Sequence, residues 1–581
     1  MIILLSKWRK SMKTNEGVIK TFIEAGITRG FTLPGLGITW SLPAFFDRKD
    51  EFELVLARSE QSASVMAQVA GKLTGRPGLL MAQGPFASST GAFGILEAYF
   101  SSTPMVVLTD TSCYDGFAQY GVYQTMTGDY GAGDAFAVMK TMTKYATYAT
   151  TPAEAIYGTQ LAVKHAMTPR QGPAAVVMRT NIIKEEVPDH PRAKLYPTEG
   201  YLRSTPMKPD GDALHKIAET LKAAERPVII AGNGVYMSRS GEMLSRLANR
   251  EGIAVASSYH GKGVIDETTP IAVGMMGNWA AKSANRMVQA ADVILVLGCS
   301  LGPEYTRFRD EKMMRPGEQT IIQVDLDPLN AGWVLPVDLA VTADAADVIR
   351  YLLDVSGVDQ AQAEKRRDFI GKIKADNRYG DLPHFKTRPG TVHYADIMRS
   401  LDGFLTPDDL LTLDAGTNRI WATSSLPLRT PHQLVAPGGI GGMGWSTPAA
   451  TGAKVTCPEK RVTGVIGDGG FVMTMDAIAT AAEHNLDVVY VVANNAGLGM
   501  VRDNLGNKAI GVDFGDHDFA KVAEGLGGSG ITVTEADQIG DAIREGHRRG
   551  GPVVIDVKVD PAASHRDCSD YDDLPDPSAL K

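Results

Sequence analysis

Apolar residues along this chain occur mainly in short, β-branched runs that alternate with longer segments of helical spacing. Runs such as PMVVLTD, ADVILVLG and DVVYVVA are typical of strands buried on both faces. Polar, proline-containing stretches separate three blocks of such runs, at residues 12–185, 206–355 and 389–562. The pattern predicts an α/β protein with three doubly wound domains on parallel sheets. The acidic tail 563–581 has no periodicity, which leaves open a mobile lid or a disordered end.

The most specific chemistry lies in one βαβ unit of the third block. Gly467-Asp468-Gly469 follows the strand-like run RVTGVI, and 24 residues later Asn494-Asn495 follows DVVYVVA. Parallel strands end at the same edge of a sheet, so we expect Asp468 and Asn495 to lie together where open α/β sheets bind ligands. Their oxygens suit Mg²⁺, which usually takes only one or two side-chain ligands and leaves the other positions to water and phosphates. The tripeptide GDG alone is also compatible with an ordinary strand-to-helix turn.

GDG, a spacer of this length and the asparagine pair together resemble the signature of the thiamine diphosphate-dependent enzymes. The resemblance covers the whole chain, because the acetolactate synthase, pyruvate oxidase and decarboxylase group has a pyrimidine-binding, a central and a diphosphate-binding domain in this order. It implies thiamine diphosphate and Mg²⁺ as cofactors, with Asp468, Asn495 and the Gly497 carbonyl as metal ligands. The cofactor would also contact neighbouring glycines, where backbone N–H groups can approach phosphates at a helix N-terminus: Gly467, Gly469 and Gly470.

The composition is that of an ordinary acidic globular protein. The 581 residues carry a formal net charge of −9 and are 44% hydrophobic and 22% charged. This acidic balance gives no sign of the basic surface that binding to nucleic acid requires. The four cysteines form no CxxC pair, which argues against a disulfide framework or a zinc site and fits a reducing cytoplasm. The opening MIILLSKWRKS has an apolar run far shorter than the ~18 residues of a membrane span. It lacks a signal-peptide layout, so we interpret it as a short leader.

Thiamine chemistry needs a carboxylic acid at the aminopyrimidine ring, and Glu60 is the candidate catalytic residue. It follows the strand-like FELVLA and begins a predicted helix from Glu60 to Leu73, in ARSEQSASVMAQVAGKLTGRPG. This segment resembles the family's HEQxAxxxAxGxAxxxGxPG, with Ser59 in place of the common histidine. A plain alternative is that Glu60 only favours the helix N-terminus through the helix dipole.

A second glycine-rich segment, GGIGGMGWSTPAATGA, matches the part of the family that holds the cofactor bent. By the resemblance, Met443 is the wedge beneath the bend and the Gly441 carbonyl meets the 4′-amino group. A methionine in an apolar stretch is otherwise ordinary core filler. Residues 439–444 also fit the dinucleotide pattern GxGxxG. No clear acidic partner follows about 20 residues on, after a following strand, so we do not expect NAD here.

Two further segments are implied in cofactor binding. Gly416-Thr417-Asn418 follows LLTLDA, where family members touch the diphosphate from the other side; a polar turn is the alternative. NNAGLGMVRD resembles the NNxHLGMV of acetolactate synthases and differs from the NNDGY-like segment of simple pyruvate decarboxylases. Three of its residues would line the cofactor and the acceptor side of the pocket: Leu498, Gly499 and Met500.

Departures from acetolactate synthases limit the substrate prediction. Asn504 stands four residues beyond the GMV methionine, where those enzymes carry a tryptophan that helps select the acceptor. Instead of AFQE-like and VPKD motifs, the first block shows DAFAVMK near Asp134 and VMRTN near Arg179. Many pyruvate decarboxylases carry a histidine pair where this chain reads DTSCYDG, so no histidine-based proton shuttle is visible.

The central block leaves the binding of FAD open. SSYHGKG, GMMGN, GCSLGPEYTRF and VDLDP lie where related enzymes hold a structural flavin. The arginine-rich GxRFDDR pattern is absent, however, and ordinary turns fit these segments as well.

These features predict a thiamine diphosphate- and Mg²⁺-dependent enzyme that acts on a small 2-oxo compound, most readily by acetolactate synthase-like carboligation. The alternatives are a non-ligating 2-oxoacid decarboxylase or C–C hydrolase, a flavin-coupled 2-oxoacid oxidase, and a catalytically silent cofactor-binding subunit, against which Glu60 argues. The resemblance implies a homodimer or homotetramer whose active sites are shared between subunits. The sequence does not name the donor or the acceptor.

Overall fold

A computed structural model of the chain describes residues 12–113, 123–129, 131–189, 194–205, 207–355, 357–377, 382–570 and 574–580. It contains three six-stranded parallel sheets flanked by helices, which confirms the predicted α/β, doubly wound fold class. The leader, the residues Tyr114-Asp115-Gly116 of the DTSCYDG segment and residues 571–573 of the tail lie outside the described residues.

Each sheet is formed by one of the three predicted blocks. The first has the order β2-β1-β3-β4-β6-β5, with the strands β1 Arg29–Leu33, β2 Glu53–Leu56, β3 Gly78–Ala82, β4 Met105–Asp110, β5 Tyr145–Ala149 and β6 Pro173–Met178. The second has the order β12-β11-β10-β7-β8-β9, with β7 Pro227–Ala231, β8 Ala254–Ser257, β9 Ala272–Met275, β10 Val293–Leu297, β11 Thr320–Asp325 and β12 Leu339–Thr342. The third has the order β14-β13-β15-β16-β18-β17, with β13 Asp409–Leu413, β14 Leu434–Val435, β15 Arg461–Gly467, β16 Val488–Asn494, β17 Ser529–Val533 and β18 Pro552–Lys558.

Helices cover both faces of the sheets. In the first block they are Thr14–Glu24, Leu42–Phe46, Glu60–Thr74, Gly84–Ala87, Ala92–Phe100, Ala135–Met142 and Pro152–Met167, and the short helix Glu199–Leu202 follows this block. In the central block they are Gly211–Ala223, Asn233–Met237, Gly241–Glu251, Lys282–Ala290 and Ala345–Val355, and Gln360–Asp376 follows this block. In the third block they are Tyr394–Phe404, Thr417–Ser425, Ser446–Thr456, Asp468–Thr474, Asp476–Glu483, Gly499–Leu505, Phe519–Gly525 and Gln538–Arg549. Within the described residues, none of these helices is long and apolar enough to cross a bilayer.

Burial explains why the apolar runs became strands. Strands β3, β4, β6, β7, β10, β13 and β16 are buried at every position. Such strands are nearly continuous in hydrophobic residues because helices pack on both faces of a parallel sheet. Each block has its own hydrophobic core on this pattern.

The chain divides into two compact units that do not follow the sequence blocks. The first comprises Met1–Thr205, Gly438–Pro458 and Thr474–His484, and the second comprises Pro206–Pro437, Glu459–Met473 and Asn485–Lys581. The first unit therefore includes two helices of the third block. One of them, Ser446–Thr456, packs on the helix Glu60–Thr74 so closely that a Cβ at Gly452 would lie 2.8 Å from the Met66 Cα. The domain bounds given above stay predictions.

Two segments beyond the predicted central block attach to it within the second unit. In the helix Gln360–Asp376, the buried Arg366 guanidinium donates hydrogen bonds to the carbonyls of Glu251 (3.0 Å), Leu221 (2.8 Å) and Ala224 (2.6 Å). In the tail, the Asp570 carboxylate accepts hydrogen bonds from Arg286 (2.9 Å) and Asn285 (3.0 Å) of the helix Lys282–Ala290.

Candidate active site

The third sheet changes direction between β13 and β15. The chain passes from β13 outwards to β14 and returns to β15 on the other side of β13. Open α/β sheets bind ligands at such a switch point, in the crevice beyond the carboxyl ends of the two strands. Gly416-Thr417-Asn418 follows β13, and Gly467-Asp468 ends β15 and begins the next helix. The fold thus brings together two predicted cofactor segments about 50 residues apart in sequence.

Gly416 and Asn418 follow the carboxyl end of β13. Gly416 has φ +106°, in the region that favours glycine, and precedes the helix Thr417–Ser425. The buried Asn418 amide donates a hydrogen bond to the Asp414 carbonyl at 3.3 Å. Its Oδ1 would lie 3.6 Å from a Cβ at Gly467. The two segments are therefore adjacent.

Asp468 is the buried acid of the site, with 2% of its surface exposed. Its carboxylate accepts N–H hydrogen bonds from Gly469 (2.7 Å), Asn495 (3.0 Å) and Gly497 (3.1 Å). Burial raises the pKa of Asp468 to about 6, and these N–H bonds oppose the rise. The charged form is therefore destabilised unless a cation lies beside it.

The ligands predicted for the metal converge at Asp468. One terminal atom of the Asn495 amide lies 2.7 Å from the Gly497 carbonyl oxygen and 3.3 Å from Asp468 Oδ2. An amide oxygen in this position would make three oxygens face one another, which a divalent cation stabilises. Without a cation, the amide NH₂ takes the same position and donates to both oxygens. The residues fit Mg²⁺. Elsewhere, the described part of the chain has no group of three or more His, Cys, Asp or Glu side chains arranged for a metal.

The segment NNAGLGM closes around the same point. A Cβ at Gly499 would lie 2.5 Å from Asn495 Nδ2 and 3.3 Å from Thr417 Oγ1, so a larger residue there would have to displace these side chains. Leu498 lies against the GDG turn, with its Cδ2 3.0 Å from a Cβ at Gly469. Gly470 is buried in the first turn of the helix Asp468–Thr474, and Met500 is half-buried. Among the described residues, the sequence-predicted cofactor positions of the third sheet therefore form one group.

Glu60 belongs to the first unit, where it begins the helix Glu60–Thr74, one residue longer than predicted. Ser59 caps the helix by accepting a hydrogen bond from the Ser62 N–H at 3.1 Å. The hydroxyls of Ser59 and Ser62 both donate to Asp476 Oδ2 at 2.9 Å. Glu60 itself is half-exposed and accepts a hydrogen bond from Thr90 Oγ1 at 3.2 Å. The serine that replaces the family's histidine is thus held by an aspartate that the sequence did not reveal.

The segment with the predicted wedge also lies in the first unit. Gly441 and Gly444 have φ +62° and +84°, so both need glycine's freedom. Met443 between them is half-buried. The Gly444 carbonyl accepts a hydrogen bond from Thr474 Oγ1 at 2.7 Å.

Comparison with known proteins agrees with this geometry. Residues 12–130, 214–352 and 414–557 match the N-terminal thiamine pyrophosphate binding, central and C-terminal thiamine pyrophosphate binding domains of the thiamine pyrophosphate enzymes. A probable acetolactate synthase large subunit of Methanocaldococcus jannaschii is 30% identical over 568 residues, which cover 95% of this chain and 92% of that protein. This chain is a thiamine pyrophosphate enzyme. Thiamine pyrophosphate, or thiamine diphosphate, and Mg²⁺ are therefore its cofactors, and its substrates are small 2-oxo compounds.

Two other relatives show the range of this family. The acetolactate synthase of Bacillus subtilis is 26% identical, with 96% of this chain and 95% of that protein covered. The pyruvate oxidase of Lactiplantibacillus plantarum is 25% identical, with 93% and 88% covered.

Three residues in the segments where this thiamine pyrophosphate enzyme departs from acetolactate synthases are exposed: Asp134, Arg179 and Asn504. Asn504 is exposed, in the helix Gly499–Leu505. Asp134 caps the helix Ala135–Met142 by accepting a hydrogen bond from the Ala137 N–H at 2.9 Å, so DAFAVMK has a local structural role. Arg179 is exposed at the end of β6.

A cavity of about 330 Å³ lies in the second unit, beside the segments considered for FAD. Its walls combine apolar, aromatic and charged side chains: Tyr259, Met275, Met276, Asn278, Trp279, Glu304, Tyr305, Arg419, Ile420 and Thr423. The Arg419 guanidinium lies 5.1 Å from the centre of the Tyr259 ring. The indole N–H of Trp279 is buried and has no partner among the described residues. A planar ligand with acceptor atoms suits these groups. FAD stays a prediction.

Proposed function

We propose that this thiamine pyrophosphate enzyme is an acetolactate synthase-like carboligase. It would cleave a small 2-oxo acid and join the remaining acyl unit to a second carbonyl compound. The proposal rests on the oxygen group formed by Asp468, Asn495 and Gly497, and on the NNAGLGM segment that closes beside it. Two acetolactate synthase relatives that extend over nearly the whole chain support it.

The proposed roles of the residues in the second unit follow from their chemistry. Asp468, Asn495 and the Gly497 carbonyl would hold Mg²⁺, which needs oxygen ligands and leaves other positions to phosphate oxygens. Thr417 and Asn418, buried at the start of a helix, would face the diphosphate together with Gly467, Gly469 and Gly470. When bound there, thiamine diphosphate would supply a nucleophilic carbon for the substrate carbonyl.

In the first unit, Glu60 would be the acid that exchanges a proton with the aminopyrimidine ring. A carboxyl group suits this task because it can hold a proton at one oxygen and accept a hydrogen bond at the other. Ser59, Ser62 and Asp476 would fix the start of its helix. The carbonyl of Gly441 and the side chain of Met443 would orient the cofactor.

Product analysis tests the proposal. The protein loaded with thiamine diphosphate and Mg²⁺ is incubated with 2-oxo acids, diketones and aldehydes, singly and in pairs, and the products are identified by mass spectrometry. Carboligation predicts a product that contains carbon from both partners, and its loss in Asp468→Ala. Release of a simple aldehyde from every 2-oxo acid, without ligation, would instead favour a decarboxylase, and cleavage of a diketone a C–C hydrolase.

A flavin-coupled oxidase is the second candidate, supported by the cavity beside Tyr259 and by the pyruvate oxidase relative. The purified protein would then be yellow, and its visible absorption would bleach when substrate is added without oxygen. A colourless, fully active protein would exclude this candidate.

We also propose a homodimer or a dimer of dimers with active sites shared between subunits. Exposed apolar side chains near the Gly441 segment support a self-interface, because such surface favours association. Tyr99 and Phe100 are 40% and 53% exposed, and Ile440 is 39% exposed. All four cysteines are free thiols, which fits the predicted cytoplasmic location. Light scattering measures the oligomeric state.

A further inference from the structure

Glu97 is a buried acid that no part of the proposed chemistry uses. It lies in the helix Ala92–Phe100, and none of its surface is exposed. Its carboxylate accepts four backbone N–H hydrogen bonds from consecutive residues of one loop: Gly438 (3.0 Å), Gly439 (2.8 Å), Ile440 (2.9 Å) and Gly441 (3.2 Å). Both carboxylate oxygens take part, with two N–H groups each. All these residues belong to the first unit.

Without the hydrogen bonds to Glu97, the backbone of this loop would be poorly ordered. It is rich in glycine, and glycine loses more backbone freedom on ordering than any other residue. Four neighbouring N–H groups that point to one side form a natural site for an anion. Here the anion is a side chain of the same protein, so the loop is ordered before any ligand arrives. The same helix also limits the loop sterically, since a Cβ at Gly442 would lie 2.3 Å from Phe93 Cε2.

A buried lysine accompanies this carboxylate. Burial lowers the pKa of Lys72 to about 8, and the charge of Glu97 acts in the opposite direction. Lys72 lies near the end of the helix Glu60–Thr74, the helix that Glu60 begins. The carboxylate thus has four N–H donors and a nearby cation, which is what a buried charge requires. The hydrogen-bond acceptors of this carboxylate are all used within the protein, so Glu97 has a structural role and is not placed to bind a substrate.

The anchored loop ends at Gly441, and Met443 lies two residues further along the chain. The loop therefore carries the backbone that would contact the cofactor. We propose that Glu97 is a positioning residue for thiamine diphosphate, which sets the Gly438–Gly441 backbone so that Gly441 and Met443 are ready for the bent cofactor. This inference rests on the proposed roles of Gly441 and Met443. It goes beyond them by assigning the order of the loop to one distant side chain. Pre-ordering raises affinity because less freedom is lost on binding.

The first test needs neither cofactor nor activity. Amide hydrogen exchange of the cofactor-free, full-length protein is followed by mass spectrometry in peptides that cover residues 438–443. In Glu97→Gln one oxygen is replaced by NH₂, which cannot accept the N–H groups that faced it. We expect exchange in these peptides to become at least tenfold faster. Glu154→Gln is the matched control: Glu154 also accepts two backbone N–H bonds in the first unit, from Thr150 and Thr151, but at the surface. It should leave the loop unchanged.

The second test separates positioning from chemistry. We expect the dissociation constant of thiamine diphosphate, measured by calorimetry at saturating Mg²⁺, to rise at least tenfold in Glu97→Gln. At saturating cofactor, kcat should stay within about threefold of wild type. If the lone Lys72 charge prevents folding, the double variant Lys72→Met with Glu97→Gln removes both charges and should show the same pattern.

Hydrogen exchange and cofactor binding together support or overturn the positioning role of Glu97. Fast exchange with weaker cofactor binding supports the positioning role. Unchanged exchange, fast exchange with unchanged affinity, or a fall in kcat as large as the loss of affinity overturns it. If the wild-type protein shows slow exchange in the loop but does not bind thiamine diphosphate, the proposed function fails and the positioning role falls with it.

Discussion

The charge of Asp468 should set part of the pH dependence of stability in the metal-free protein. Burial raises its pKa from 3.8 to about 6, so between these values the folded protein binds the proton more tightly than the unfolded chain does. The contribution to stability is therefore fully present below pH 3.8 and is lost as pH rises through about 6. Above that pH the buried carboxylate is ionised and destabilises the fold.

The size of this effect follows from the two pKa values. A tenfold change in proton affinity is worth about 1.4 kcal/mol, so the rise from 3.8 to about 6 corresponds to about 3 kcal/mol. The side chain in Asp468→Asn cannot ionise, so the variant should not lose this stability as pH rises. The variant also changes the N–H hydrogen bonds to the side chain, but that change displaces the whole stability curve without altering its slope with pH.

Denaturant titrations in the presence of a chelator measure the effect. Tryptophan fluorescence can follow unfolding, because Trp421 in the second unit and Trp445 in the first are fully buried. Between pH 4 and 7, the free energy of unfolding of wild type should fall by about 2.4 kcal/mol more than that of Asp468→Asn, because part of the total effect is already lost at pH 4. Mg²⁺ with thiamine diphosphate should remove this fall in wild type and have no such effect in the variant.

Asp518→Asn serves as a control of opposite sign. Hydrogen bonds from Lys521 lower the pKa of Asp518, so its contribution is present above pH 3.8 and is lost as pH falls. Equal slopes for wild type and Asp468→Asn would refute the reasoning, because they would mean that Asp468 titrates normally in the folded protein.

Four further predictions follow from the site. Glu60→Gln should bind thiamine diphosphate normally but slow hydrogen–deuterium exchange at its C2 atom by ~10²–10⁴-fold; normal exchange would exclude the acid role. Mixing inactive Glu60→Gln with inactive Asp468→Ala should restore part of the activity through hybrid dimers, and no recovery after verified subunit exchange would contradict a shared site. Asp476→Asn should lower kcat about tenfold with little change in cofactor affinity, because the helix that Glu60 begins loses its fixed start; steady-state kinetics and calorimetry check this. Asn504→Trp should change the ratio of kcat/KM for large and small acceptors by ~10–200-fold, which corresponds to ~1–3 kcal/mol, and a constant ratio would place Asn504 outside the pocket.

The sequence predicted the features that depend on local pattern. Asp468 and Asn495 were expected at one sheet edge because each directly follows a buried strand, and parallel strands share that edge. The helix from Glu60 was predicted to within one residue, and in the structure its bounds coincide with local features, the Ser59 cap and the terminal Gly75. The same holds for the three parallel sheets, whose strands are continuous apolar runs.

The sequence did not reveal the side chains that act at long range. Glu97 accepts hydrogen bonds from residues more than 340 positions away, and Asp476 from residues more than 400 away. No spacing rule connects such positions, because the connection depends on how the elements pack. One signal was available for Glu97: it is the only charge in the apolar helix FGILEAYF, and a charge on a buried surface needs partners. The position of the described part of the tail could not be predicted for the same reason, because Asp570 is held by hydrogen bonds from two residues of the central block.

The packing of the helix Ser446–Thr456 on the helix Glu60–Thr74 predicts how fragments of the protein should behave. A fragment that ends at residue 205 would contain a whole sheet but would lose the helix that lies over Met66. The uncovered side chains of the helix Glu60–Thr74 are apolar at most positions, so the fragment should associate or aggregate. Proteolysis within 206–437 should instead leave the two parts held together without a covalent link, because each contributes helices to the same core.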